Sequence, residues 1–260
     1  MQLEPLVQRA DALGVITLTL NRPDQRNALS LAVMAELIDH LHDVSADRDT
    51  HVVVLAGNGP VFSAGHDLHE IRDNPDPGFR KELFERCAEL MLTIVHHRHP
   101  VIAKVHGVAT AAGCQLVATC DLAIAGASAR FATPGVNIGL FCSTPMVALS
   151  RAVPAKQAME MLLTGEMIDA ATAAAIGLVN RVEADDQLDA ATAALAATIA
   201  EKSPLVLSIG KEAFHRQREL PLAEAYAYTA EVMVRNLDAA DASEGITAFL
   251  DKRPPTWRDC

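Results

Sequence analysis

Two stretches of small side chains stand out in this 260-residue chain, Ser63-Ala-Gly-His66 and Ala109-Thr-Ala-Ala-Gly113. Each lies where a strand-like run gives way to a helical one. Small side chains let a ligand approach the backbone, and a helix start offers N–H groups with no acceptor of their own. Two such loops facing each other would present two N–H donors to one oxygen, forming an oxyanion hole. Each donor is worth on the order of 3 kcal/mol to a transition state that carries charge on that oxygen. Spacing alone equally allows two plain tight turns.

Other chemistries find less support. There is no Gly-x-Gly-x-x-Gly after a strand, no Walker loop and no Gly-x-Ser-x-Gly elbow. His96, His97 and His99 resemble a metal cluster. They fall, however, where a helix stops before Pro100, and imidazoles suit that negative helix end. His66, His69 and Glu70 read as a solvated first turn. The cysteines Cys87, Cys114, Cys120, Cys142 and Cys260 are odd in number and match no zinc spacing, which points to a reduced, cytoplasmic protein.

The elements that would position the two loops follow from periodicity. Strand-like runs occupy Val15–Leu20, His51–Ala56, Val101–Val105 and Asp121–Ala125, with helical patterns from Ser30 to about Asp43, from about Phe79 to His97, and near Cys114–Cys120. Beyond about Ala155 the pattern is helical: 155–163, 169–176, 187–200, a single long stretch 204–236, and 242–252, with only 178–182 strand-like. This predicts an α/β core over residues 1–200 and a helical region over 201–260.

Composition narrows the function. The chain is 50% hydrophobic with a net charge of −11, which argues against disorder and against a broad nucleic-acid surface. No apolar run reaches the ~18 residues of a membrane span. The start, Met1-Gln-Leu-Glu-Pro5, lacks the layout of a signal peptide. The acids are unevenly spread. From Leu90 to Met159 there is one, Asp121, where even scatter of the 33 would place about nine.

Several motifs together carry a resemblance. They are Asn21-Arg-Pro-x-x-x-Asn-Ala-Leu29, Phe62-Ser-Ala-Gly-His-Asp-Leu68, Pro100-Val-Ile-Ala-Lys-Val-His-Gly107 running on to Gly113-Cys-Gln-Leu116, and Cys120-Asp121. Phe131-Ala-Thr-Pro134, Leu163-Thr-Gly165, Ala175-x-Gly-Leu-Val179 and Glu244-Gly-Ile-x-Ala-Phe249 follow in the same order. In this the chain resembles the enoyl-CoA hydratase/isomerase (crotonase) superfamily, over about residues 6–253.

The resemblance implies an α/β spiral of ββα units with a C-terminal helical trimerisation region. It also implies a homotrimer or dimer of trimers, no tightly bound cofactor and no metal, and an acyl-CoA thioester as substrate or ligand. By it, the oxyanion donors are the N–H groups of His66 and Ala112. Ser63, Ala64 and Leu68 line the coenzyme A path, Asp67 supports that loop, and Arg26 meets the phosphates. Lys252 touches coenzyme A, from its own or a neighbouring subunit, and Phe249 walls the acyl pocket.

At two positions the chain departs from that pattern. The glutamates by which hydratases of this family add water map onto Gln115 and Gly135. An amide can hold a water but cannot take its proton, and glycine offers no side chain. His66, Cys114 and Cys142 are the remaining candidates for a substitute base. Two readings stay open: an acyl-CoA enzyme, nominally an enoyl-CoA hydratase (a lyase) with altered chemistry, and a non-catalytic acyl-CoA-binding adapter or carrier. Restoring glutamate at both positions is expected to restore hydration.

Overall fold

The β-branched runs form strands, and a computed structural model, which describes residues 4–260, shows how they associate. The first half contains β1 (Val7–Ala12), β2 (Val15–Leu20), α1 (Leu31–Ala46), β3 (Val52–Gly57), α2 (Leu68–Asp73), α3 (Pro77–Val95), β4 (Val101–Val105), β5 (Val108–Thr110), α4 (Ala112–Thr119) and β6 (Leu122–Gly126). The second half contains β7 (Arg130–Ala132), α5 (Ser143–Ala152), α6 (Ala155–Thr164), β8 (Ile168–Asp169), α7 (Ala170–Ala175), β9 (Arg181–Glu183), α8 (Leu188–Ala200), α9 (Pro204–Gln217), α10 (Leu222–Leu237) and α11 (Ala240–Leu250).

Six strands form one sheet in the order β1-β2-β3-β4-β6-β9, parallel except for the β1–β2 hairpin. A smaller sheet, β5-β7-β8, stands beside it. Both faces of the large sheet are covered, as parallel strands require. Val53 and Leu55 of β3 join the main core with Leu37, Leu41, Leu90 and Ile94 of α1 and α3. Their alternates Val52 and Val54 pack with Ile102 and Ala196 under α8. Ser30 caps α1 by accepting the Val33 N–H, as its residue type and position predict.

Two expectations shift. The single stretch 204–236 is broken into α9 and α10 by Pro221, which lacks the N–H a continuing helix needs. The strand-like run 178–182 pairs only from Arg181 onward. Helix α5 lies in a region without a clear sequence pattern, and its Pro145 sits in the first turn, where proline is tolerated. Among the described residues no single helix is long and apolar enough to cross a membrane. For the site, the consequence is directional: the loops after β3 and β4 emerge at the same, C-terminal edge of the parallel sheet.

Candidate functional site

The two small-residue loops meet at that edge. The chain leaving β3 runs alongside β5, with the Ser63 N–H donating to Val108 O at 3.1 Å and the Thr110 N–H to Ser63 O at 3.0 Å. On its other side it is held by the 26–29 segment: the Ala64 N–H donates to Arg26 O, the Leu29 N–H to Gly65 O and the Asp67 N–H to Leu29 O. Asn27 anchors this arrangement from below. Its buried amide donates to Asn58 O and Val61 O, each at 2.9 Å, and accepts the Arg22 N–H. Ser63 is fully buried, with its hydroxyl donating to Asn27 O and accepting the Gly65 N–H.

Gly65 makes the close approach possible. Its φ is +87°, and a Cβ there would fall 2.8 Å from Ala111 Cβ and 2.9 Å from Ala112 N. Gly113 abuts Ser63 O in the same way. The residue before His66 therefore touches Ala112. The N–H groups of Ser63, Ala64, Gly65, Asp67, Thr110 and Ala111 have acceptors, while those of His66 and Ala112 have none among the described residues. Ala112 is the first residue of α4, so no carbonyl of its own helix can reach it. Ala111 holds φ 51° and ψ −118°, strained for a residue with a Cβ, and this aims the helix start at the loop. Two free donors at the positive end of α4 are what an oxyanion requires.

The expected site residues fall into groups. Ala64 is half-buried, Leu68 is exposed at the mouth of the loop, and Arg26, in the left-handed region, is exposed beside Ala64. Asp67 caps α2 by accepting the His69 and Glu70 N–H groups and lies 3.5 Å from Arg22. Phe249 and Lys252 lie elsewhere. The chain end that packs on α11 is fastened by Arg98 to Asp259 just before β4, and Asp241 of α11 accepts the Arg258 and Asp259 N–H groups. Phe249 and Lys252 are exposed, at and just beyond the end of α11.

The two substituted positions are now defined. Gln115 is buried one turn below Ala112, its Oε1 accepting the Cys87 thiol at 3.7 Å. It also lies on the wall of a cavity of about 1530 Å³ beneath α9, with Met91, Val147 and Leu207. Gly135 is buried in a short 3-10 helix, Pro134–Ile138, and the space a side chain would need is filled: its Cβ would stand 2.7 Å from Leu140 O and 2.9 Å from Cys142 Sγ. A glutamate at 135 would first have to displace Leu140 O and Cys142 Sγ. Gln115 has room for its carboxylate isostere, and Gly135 does not.

Substitute bases are poorly placed. Burial pushes the His66 pKa down to about 4, so the ring is neutral. It packs edge-on to Phe84 with centroids 5.3 Å apart, and its buried Nε2 has no partner. Burial pushes the Cys87 and Cys114 thiols up to about 12 and raises Cys142, so none is a thiolate at neutral pH. Asp121, the one acid between Leu90 and Met159, lies on the wall of the same cavity as Gln115 but is engaged by other side chains. Burial raises its pKa, but His215 at 3.6 Å, Lys211 at 2.7 Å and the Val101 N–H outweigh that and hold the carboxyl ionised. His97 donates to Leu41 O and accepts the His99 N–H, so both its nitrogens are used. Among the described residues no cluster is arranged to hold a metal ion.

This geometry has counterparts among known proteins. The sequence model of the "Enoyl-CoA hydratase/isomerase" family matches residues 11–260. The chain belongs to the enoyl-CoA hydratase/isomerase family. The human protein named "Enoyl-CoA hydratase domain-containing protein 3, mitochondrial" is 49% identical over 245 residues, covering 94% of this chain and 80% of the human one. The mouse protein of the same name is 47% identical over the same length, covering 94% and 81%. A crystal structure of an enoyl-CoA hydratase from Mycobacterium smegmatis superposes with a TM-score of 0.95 at 49% identity, covering 98% of this chain and 99% of that one.

The spiral core and C-terminal helices are thus those of an enoyl-CoA hydratase/isomerase family member. The expected cytoplasmic location is overturned, because the human and mouse relatives are both named mitochondrial.

The sequence reading missed Asn27 and Arg22. Both stand in the Asn21–Leu29 motif, but their role as a floor under the loop depends on residues some thirty positions away.

Proposed function

We propose that this chain binds acyl-CoA thioesters and holds negative charge on the thioester oxygen between the N–H groups of His66 and Ala112. The observation that carries this reading is the convergence of two unpartnered N–H donors where Gly65 packs on Ala111 and Ala112. Arg26, Ala64 and Leu68 border the path for coenzyme A. Ser63 and Asp67 hold that loop in shape. The cavity past Gln115 offers room for an acyl chain. No tightly bound cofactor is needed for this binding.

Phe249 and Lys252, exposed at and just beyond the end of α11, serve the site of a neighbouring copy. That assignment requires a homotrimer or dimer of trimers, with residues 1–200 as the core and 201–260 as the oligomerising region. Of that core, residues 1–3 lie outside the described residues.

Two-carboxylate hydration is not part of the reading. General acid–base catalysis contributes ~10²–10⁴-fold, and the groups that would supply it are an amide and a glycine with its side-chain space closed. The closed space at Gly135 also supports a second reading, a non-catalytic acyl-CoA-binding adapter or carrier. Calorimetry with saturated and trans-2-enoyl-CoAs tests binding, and loss of the conjugated thioester absorbance tests hydration. Binding with hydration slowed by at least two orders of magnitude is expected. Ordinary turnover would refute the role given to the lost carboxylates, and no binding at millimolar concentration would refute both readings.

A further inference from the structure

The cavity beneath α9 carries polar groups well away from the paired N–H donors. Gln115 lines it one turn below Ala112, and so does Asp121, two residues past the end of α4. At about 1.5 Å per helical residue, Ala112 and Asp121 are roughly 13 Å apart along α4. Much of the remaining wall is apolar, with Met91, Ala118, Val147 and Leu207. An acyl chain that starts at the hole and lies along α4 therefore brings its far carbons up to Asp121.

Only one oxygen of that carboxylate is committed. Asp121 Oδ2 accepts from Lys211 Nζ and from the Val101 N–H, each at 2.7 Å. Lys211 directs its other two protons to Ile94 O at 2.9 Å and His99 O at 3.1 Å, so this ammonium is saturated. Asp121 Oδ1 has no donor within hydrogen-bonding distance among the described residues. His215 Nε2 faces it from 3.6 Å, too far for a direct bond. A largely buried carboxylate oxygen without a donor is costly, and this one borders a cavity with room for a ligand group.

We propose that the gap between Asp121 and His215 takes a hydroxyl, and that this chain binds acyl-CoA thioesters hydroxylated at the far end of the acyl chain. The inference rests on the acyl-CoA reading above. A hydroxyl oxygen can stand within about 3 Å of both atoms. It donates its proton to Asp121 Oδ1 and accepts from His215 Nε2, the nitrogen that holds a proton when it faces a carboxylate. A plain alkyl end displaces water from Oδ1 and offers no donor in return. A carboxylate end sets a second negative charge against Asp121, and Lys211 has no proton left for it. The arginines on that side are also engaged, Arg151 with Glu219 at 3.7 Å and Arg218 with Arg151 O.

The test is calorimetry on the full chain with decanoyl-CoA, ω-hydroxydecanoyl-CoA and the ω-carboxylated chain of the same length, repeated with the dodecanoyl series. At the better-fitting length the hydroxylated chain is expected to bind about tenfold more tightly than the plain one, the scale of one hydrogen bond to a charged group. The carboxylated chain should bind no better than the plain one. His215→Leu is expected to bring the hydroxyl preference down to about twofold or less, with circular dichroism reporting the fold. His215→Gln keeps a donor there and should retain part of the preference. Should the leucine variant misfold, the three-ligand comparison in the unaltered chain decides. Equal affinity for hydroxylated and plain chains at both lengths overturns this inference and leaves the acyl-CoA reading standing. Tighter binding of the carboxylated chain than of the hydroxylated one also overturns it. A chain that binds none of them overturns both readings. An undiminished hydroxyl preference in a folded His215→Leu variant overturns the placement at Asp121 and His215.

Discussion

Replacing Gly135 by alanine puts a methyl carbon into space that is already taken. An ideal Cβ there stands 2.7 Å from Leu140 O and 2.9 Å from Cys142 Sγ. Comfortable non-bonded contact begins at about 3.5 Å, so the two neighbours must retreat by roughly 0.8 and 0.6 Å. The 138–142 loop can give somewhat, because Ile138, Leu140 and Phe141 are exposed. Gly135→Ala should therefore cost about 1–3 kcal/mol, the range for an overpacked site. Cys142→Ala removes the sulfur contact but leaves the carbonyl, so the pair should show a favourable coupling of about 0.5–1 kcal/mol. Urea unfolding at fixed protein concentration reads both, as a shift in midpoint at constant slope. A Gly135→Ala midpoint equal to that of the unaltered chain would show that the space is open. In that case a carboxylate could be restored there, and the closed-pocket account of the missing hydration would fall.

The remaining predictions concern buried ionisable groups. Lys211→Met leaves Asp121 ionised without its closest cation and should cost about 3–5 kcal/mol by thermal or urea unfolding; a loss under 1 kcal/mol would show that α9 is held by packing alone. His99 is fully buried, neither ring nitrogen is partnered among the described residues, and burial, with His97 and Arg98 nearby, pushes its pKa down to about 4. Between pH 6.5 and 4 the unfolded chain takes up a proton there that the folded chain refuses. Stability therefore falls as pH drops through that window, by up to about 3 kcal/mol at pH 4 from this residue. His99→Leu should flatten the fall, and an unaltered pH profile in that variant would count against the assignment.

Much of the scaffold was legible because it rests on local pattern. The runs at Val15–Leu20, Val52–Gly57, Val101–Val105 and Leu122–Gly126 are β-branched and apolar enough to be strands in any arrangement that buries them. Ser30 caps its helix because a serine hydroxyl reaches an N–H three residues on. The two loops were legible as places where small side chains precede a helix, and the family resemblance named His66 and Ala112. Less was visible where local signals conflict. Pro145 in an apolar, Ser/Thr-flanked stretch hid α5, and Pro221 breaks what an uninterrupted helical period suggested.

By itself the sequence determined the residue types at the site: two small loops, an amide at 115, a glycine at 135, and one acid in seventy residues. What those residues do was decided only in three dimensions. Gly65 packs against Ala111 and Ala112, beside two N–H groups without acceptors among the described residues, and Leu140 with Cys142 takes the space at Gly135. Lys211, ninety positions from Asp121, takes that carboxylate out of the chemistry. Periodicity and capping are properties of neighbours along the chain. Close approach, unpaired donors and filled space depend on how distant segments pack.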